Sequence, residues 1–323
     1  MATTTPAAPA TDVPARGPAR RRLRQGRAEA RAGWAFLLPF GVMFTLVFLV
    51  PIVIALRASL FKSVASGGGL YGGGELVESF VGLGNYVDVL TNERFWAGMG
   101  RVVLYAAFQI PVMIMLALAI ALLLDSLLVR RVGALRLSVF LPYAIPGVVA
   151  AMVWLYLYSP EISPFVKLAA SLGFDLNFMG STAILASMAN MTTWTYTGYN
   201  MLIFLAALQA IPHDIYSAAR IDGASSWQIV RHIKVPLVRG ASLLAVLLSI
   251  IGTVQLFNEP TIMATANSWM GADYTPMMMA YNTMMGESSP SGDGPASAIS
   301  IVMAIFSGLL AVVYTLLQRK ADR

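Results

Sequence analysis

Apolar residues run through this chain in long stretches separated by short polar segments. Six of these stretches reach the roughly 20 residues that a helix needs to cross about 30 Å of hydrocarbon: residues 34–56, 102–124, 137–158, 184–208, 241–263 and 296–318. A barrel would instead show alternating segments of about 10 residues, so the pattern predicts an all-α, polytopic membrane helix bundle of six transmembrane helices.

The polar segment between the fourth and fifth spans carries helix signals of its own. In YSAARIDGASSWQIVRHIKVP, Asp214 just upstream is placed to cap a short helix through Ile221, and Gly223 to break it. Ser225 and Gln228 have the spacing of a capping box opening a second helix, which Pro236 is expected to end. Along that second helix Trp227, Val230 and Ile233 make an apolar edge, and Gln228, Arg231 and Lys234 a polar one. Periodicity alone leaves two readings open, docking onto a partner or lying on the membrane surface.

Composition agrees with the span pattern: 57% of residues are hydrophobic and 12% charged. The chain has no cysteine, which excludes disulfides, thiol catalysis and cysteine-bound metal. The net charge of +6 is explained by its distribution. Seven arginines precede Gly33, three lie in 125–136, four basic residues fall in 210–240 and three follow Gln318. Only Arg57, Lys62, Arg94, Arg101 and Lys167 lie on the other side, so both termini are expected in the cytoplasm. A nucleic-acid partner is not needed to account for the basic residues.

The first 33 residues, rich in Ala, Pro and Arg, read as a disordered basic cytoplasmic tail preceding the transmembrane domain of 34–323. The apolar run after the paired arginines is too long for a cleavable signal and is read as a retained span. The glycine-rich run Ser66 to Glu75 lacks the Lys-Ser/Thr of a phosphate loop and reads as an extracytoplasmic loop. No metal-protease pattern is present, and the two histidines, His213 and His232, both fall in the polar segment. No catalytic set, cofactor or metal is predicted. Met277 to Met279, Met284 and Met285 read as adaptable apolar packing.

The spans contain almost no ionisable side chain, Glu259 being the exception, which disfavours an ion-coupled carrier. Neutral polar residues are more abundant. Asn190, Thr193, Thr197 and Asn200 share one helical face, with Trp194 beside them. Such a face suits a polyhydroxylated ligand, or else hydrogen-bonds one helix to another. Gln255, Asn258 and Glu259, next to Pro260, either line a pathway or cap a broken helix. Pro142 and Pro146 predict a kink or an opened ladder near Tyr143 in the third span.

The segment SAARIDGASSWQIVRHIKVP closely resembles the EAA loop of binding-protein-dependent ABC importers, with Ala218, Ala219, Asp222, Gly223, Ala224, Ile233 and Pro236 matching its pattern. FVGLGNYVDVL, LPYAIPGVVAAMVWLY and TWTYTGYNMLIFLAALQAIP are similar to segments of MalF-type sugar permeases, and the likeness extends over about 34–320. Three positions depart from the pattern: Ser217 stands for its glutamate, Val230 for an aromatic and Gly240 for a second proline. The resemblance implies a permease subunit of a type I ABC importer in the inner membrane, forming half of a pathway for a sugar or oligosaccharide. It implies a cytoplasmic ATPase dimer engaged through residues 213–236, a second permease that is a paralogue, and an extracytoplasmic binding protein. ATP hydrolysis would then belong to a partner. An ABC importer for another polar solute, such as a polyol phosphate, and an ion-coupled secondary carrier are the alternatives.

Overall fold

The computed structural model describes residues 33–66, 75–126, 132–287 and 290–321. The tail assigned to residues 1–33 lies outside this range except for Gly33, as does most of the glycine-rich run. Four helices are long and apolar enough to cross a membrane, and two bent helix pairs bring the number of possible spans to six.

The first of these, α1 (Gly33–Ala58), lies up to Ile54 in a unit of its own. Phe40, Phe44 and Phe48 stack along it with ring centroids 5.9 and 5.4 Å apart. Its turn at Thr45–Leu49 is a wide, π-type turn. That widening takes Pro51 into the helix, because it relieves the clash of the ring with the carbonyl four residues back.

The second unit runs from Ala55 to the C-terminus. It begins with an antiparallel hairpin, β1 (Phe61–Ser66) and β2 (Glu75–Phe80), which departs from the purely helical expectation. A short helix follows, α2 (Gly84–Thr91), and buried Asn85 on it donates to the carbonyls of Ser59 and Phe61, both at 2.8 Å. Six residue pairs and a polar clamp thus hold a small β element that hydropathy cannot reveal.

Helix α3 (Glu93–Asp125) is the longest and begins at Asn92, whose side chain accepts from the Arg94 amide. The third span breaks into α4 (Val132–Ala144) and α5 (Gly147–Tyr158), bent by 97°. Proline supplies the cause: Ile145, before Pro146, takes an extended conformation (φ −82°, ψ 130°) rather than a helical one. A single helix over 137–158 is therefore replaced by two. After α6 (Pro164–Ser171), helix α7 (Ile184–Gln209) packs along α3, the most extensive helix pair in the unit. At Gly198 a Cβ would collide with the Val139 carbonyl and the Phe140 backbone, so only glycine lets α7 and α4 meet this closely.

The polar segment forms α8 (His213–Ile221) and α9 (226–237). The fifth span is α10 (Arg239–Val254), a non-helical step at 255–257, and α11 (Asn258–Ala264). Two more helices complete the fold, α12 (Pro276–Met285) and α13 (Asp293–Ala321). Three apolar clusters bind the unit together. One joins Tyr105, Met188, Met263 and Met278, a second Phe95, Met279 and Ile299, and a third Ala121, Phe204 and Ala245. Met278 and Met279 thus pack in the interior, whereas Met284 and Met285 are exposed. No group of His, Asp or Glu able to hold a metal occurs among the described residues.

Candidate functional site

Two features carry the chemistry: the projecting pair α8 and α9, and a polar cavity between the spans. In the pair, the turn at Asp222, Gly223 and Ala224 is built from backbone hydrogen bonds. Ala224 N–H donates to the Ala219 carbonyl at 2.9 Å and Gly223 N–H to the Arg220 carbonyl at 3.1 Å. This crossed pair is a Schellman ending, and it demands the left-handed conformation that Gly223 adopts at φ 84°. Asp222 is the C-cap, with its carboxylate exposed and in no hydrogen bond among the described residues. Its side chain therefore does not hold the turn.

The capping box of α9 is present as its spacing predicts. The Gln228 N–H donates to Ser225 Oγ at 3.3 Å, and the Ser225 N–H donates to Gln228 Oε1 at 2.7 Å. Two other expectations are corrected. Helix α8 is capped by Pro212, with Asp214 inside its first turn. Helix α9 does not stop before Pro236 but continues to Leu237, because Val230–Lys234 form a π-type turn that accommodates the ring as at Pro51. The expected apolar edge is also rotated. Ile229 is buried, Val230 and Ile233 are half-buried, and Trp227 points outward at 69% exposure, as does Ile221 at 86%.

Ser217 and Ala218 are exposed, Ala219 and Ala224 half-buried, and the Ser217 hydroxyl donates to the His213 carbonyl at 3.3 Å. The pair is tied to the bundle by Lys234. Its Nζ lies 2.6 Å from the Asp125 carboxylate at the end of α3 and 5.3 Å above the Tyr216 ring on α8. Burial raises the Tyr216 hydroxyl above the usual phenol range, and the Asp125 charge adds to that rise. Between α3, α7 and the pair lies a cleft of about 640 Å³.

The central cavity, of about 190 Å³, sits where the fifth span is interrupted. Non-helical backbone at membrane depth is tolerated where it lines a cavity. Gln255 in the interruption and Asn258 and Glu259 just after it all line the cavity, together with Asn200, Tyr105, Gln109, Thr192, Tyr196 and Tyr199. Tyr105 Oη donates to Thr192 Oγ1 at 2.6 Å, and Thr192 Oγ1 donates to Glu259 Oε1 at 3.0 Å. Tyr143, at the broken third span, stacks on Tyr199 with centroids 4.8 Å apart.

Of the polar face predicted on α7, only Asn200 lines this cavity; its amide donates to the Tyr196 carbonyl at 3.0 Å. Asn190 lies in a second cavity of about 910 Å³ and donates to Tyr158 Oη at 2.7 Å. Thr197 donates to the Thr193 carbonyl within its own helix. Trp194 packs edge-to-face on Trp154 at 5.8 Å. Thr193, Trp194 and Thr197 line neither cavity. The cavity face is instead set by Thr192, Tyr196 and Tyr199, spaced by four and three and rotated about 100° from the predicted face. That spacing is visible in the sequence, yet two parallel polar faces on one helix cannot be ranked without their neighbours.

A helix bundle with interrupted spans around a polar cavity and a projecting helical pair is the architecture of a membrane permease. Residues 130–323 match the family described as "Binding-protein-dependent transport system inner membrane component", and the chain belongs to that family. It is similar to the lactose transport system permease protein LacF of Rhizobium radiobacter, at 31% identity over 70% of this chain and 74% of that one. The trehalose/maltose transport system permease protein MalF of Thermococcus litoralis is 30% identical over 88% of this chain and 93% of its own. A bacterial alginate ABC transporter, solved in complex with an alginate pentasaccharide-bound periplasmic protein, shares the fold. Its TM-score is 0.77 at 17% identity, covering 94% of this chain and 99% of that one. As a member of the family the chain is a multi-pass membrane transport component that works with a binding protein, and it is not the ATP-hydrolysing subunit.

Proposed function

We propose that the chain is the permease subunit of an ATP-driven importer, conducting a sugar or oligosaccharide across the inner membrane. The cavity at the interrupted fifth span is the observation that carries this reading. Its amides, hydroxyls and tyrosine rings are the groups that bind a polyhydroxylated solute, by hydrogen bonds to hydroxyls and by stacking on C–H faces. The lactose and trehalose/maltose permeases among its relatives support a saccharide.

The projecting pair is the proposed contact with a cytoplasmic ATPase dimer, in keeping with the cytoplasmic side expected for the pair and both termini from the distribution of basic residues. Exposed Ile221 and Trp227, with the exposed Asp222 carboxylate between them, offer an apolar and charged tip to the partner. Ser217, Ala218, Ala219, Gly223 and Ala224 shape a small, close-approach surface. Ile233 and Pro236 set how α9 returns to the bundle. A second permease, a paralogue, completes the pathway, and the binding protein delivers solute from the opposite side.

Reconstitution with the co-encoded ATPase, second permease and binding protein tests this. Saccharide uptake into proteoliposomes is expected only with ATP and the binding protein. Uptake without ATP that collapses with an ionophore would overturn the proposal in favour of an ion-coupled carrier.

A further inference from the structure

The central cavity contains one ionisable group that a neutral hydroxyl-binding surface does not need. Glu259 stands at the start of α11, half-buried, and forms no ion pair with another described residue. Its side-chain partner is Thr192, which accepts from Tyr105 and donates to the carboxylate. Thr192 therefore presents its hydrogen to Glu259, and the carboxylate remains an acceptor facing the cavity. In its ionised form the carboxylate can only accept, so whatever sits beside it must then donate.

We propose that Glu259 selects the pathway's cargo by charge, admitting saccharides that are neutral or carry an amine and rejecting those that carry a carboxylate or phosphate. This rests on the cavity being the solute pathway, and it deepens that reading by naming the class of saccharide. The hydroxyls of a neutral sugar supply donors to the free acceptor sites. An ammonium would add a charge-assisted bond, the stronger kind. A uronate or sugar phosphate would bring a second negative charge and no donor at that point. Such juxtaposition of like charges is the usual means of excluding a wrong ligand. The fold shared with an importer of the acidic polysaccharide alginate does not set this preference, because at 17% identity a shared backbone does not carry over the side chains of the cavity.

The test is direct binding to the permease–ATPase complex in nanodiscs, without the binding protein, so that only the cavity discriminates. The probes are maltose, 6-amino-6-deoxymaltose and the corresponding uronic acid. The wild type is expected to bind the amine and the neutral sugar at least tenfold more tightly than the acid. Glu259→Gln should remove the advantage of the amine and bring the acid to within threefold of the neutral sugar, and Glu259→Asp should keep the wild-type order. Equal binding of acid and neutral sugar by the wild type overturns the charge selection, whether or not the Gln variant assembles. An unchanged order in a co-purifying Gln variant also overturns it. Absence of binding by all three probes overturns both this inference and the saccharide pathway beneath it, whereas a neutral sugar bound without charge preference overturns this inference alone.

Discussion

Lys234 is the point where motion of the projecting pair would reach the bundle, and its removal makes a quantitative test. Its ammonium lies 2.6 Å from Asp125, with the two side chains only 13% and 16% exposed. Exposed pairs contribute about 0–1 kcal/mol, whereas removing one partner of a fully buried pair costs about 3–5 kcal/mol. Their low exposure places this pair between those limits and nearer the second, so Lys234→Ala should weaken the seating of α9 on α3 by about 2–3 kcal/mol. At about 1.4 kcal/mol per factor of ten, that shifts the seated-to-unseated equilibrium by roughly 30- to 150-fold. The native chain lacks cysteine, so spin labels on Cys introduced at Ser126 and Ser226 report the seating without background. The expected result is a broadened, longer distance distribution in Lys234→Ala, together with less solute moved per ATP hydrolysed. The exchange Asp125→Lys with Lys234→Asp should restore much of both. Unchanged distances and coupling in Lys234→Ala, or strictly additive effects of Lys234→Ala and Asp125→Ala, would refute the reasoning.

Four further outcomes follow from named positions. Gly223→Val, forced into φ 84°, should cost about 1–2 kcal/mol in the turn and abolish uptake while membrane insertion, read by fractionation, stays normal. Gly198→Leu should lower the melting temperature of the solubilised complex, because its side chain would meet the α4 backbone; an unchanged melting temperature would contradict the close approach. Asn200→Ala should raise the solute concentration for half-maximal uptake by about tenfold, the worth of one or two buried hydrogen bonds. Asn190→Ala, in the second cavity, should change it less than threefold, and the reverse order would move the pathway to that cavity.

Much of the projecting pair is legible in the chain's own residues because its determinants are local. A serine three residues before a glutamine forms a capping box within one turn, and a glycine after an alanine-rich helix takes the left-handed ending wherever the chain leads next. Local reasoning fails at Pro236, since the π-type turn that absorbs the ring is settled by how α9 seats on its neighbours. It fails again at the hairpin. Those strands are short, and their clamp, Asn85, reaches back 24 to 26 residues.

Sequence alone determined the apolar stretches, the polar segment and its two short helices, because hydropathy and capping chemistry act on neighbouring residues. The prolines announced the broken third span in the same way. Tertiary structure decided which face of α7 meets the cavity, that Thr192, Tyr105 and Glu259 form one hydrogen-bonded line, and that Lys234 closes on Asp125. The physical reason is that α7 is enclosed by α3, α4 and α10 on several sides, so no single amphipathic stripe marks its functional face. Contacts across 67 and 109 residues likewise exist only once packing has brought their helices together.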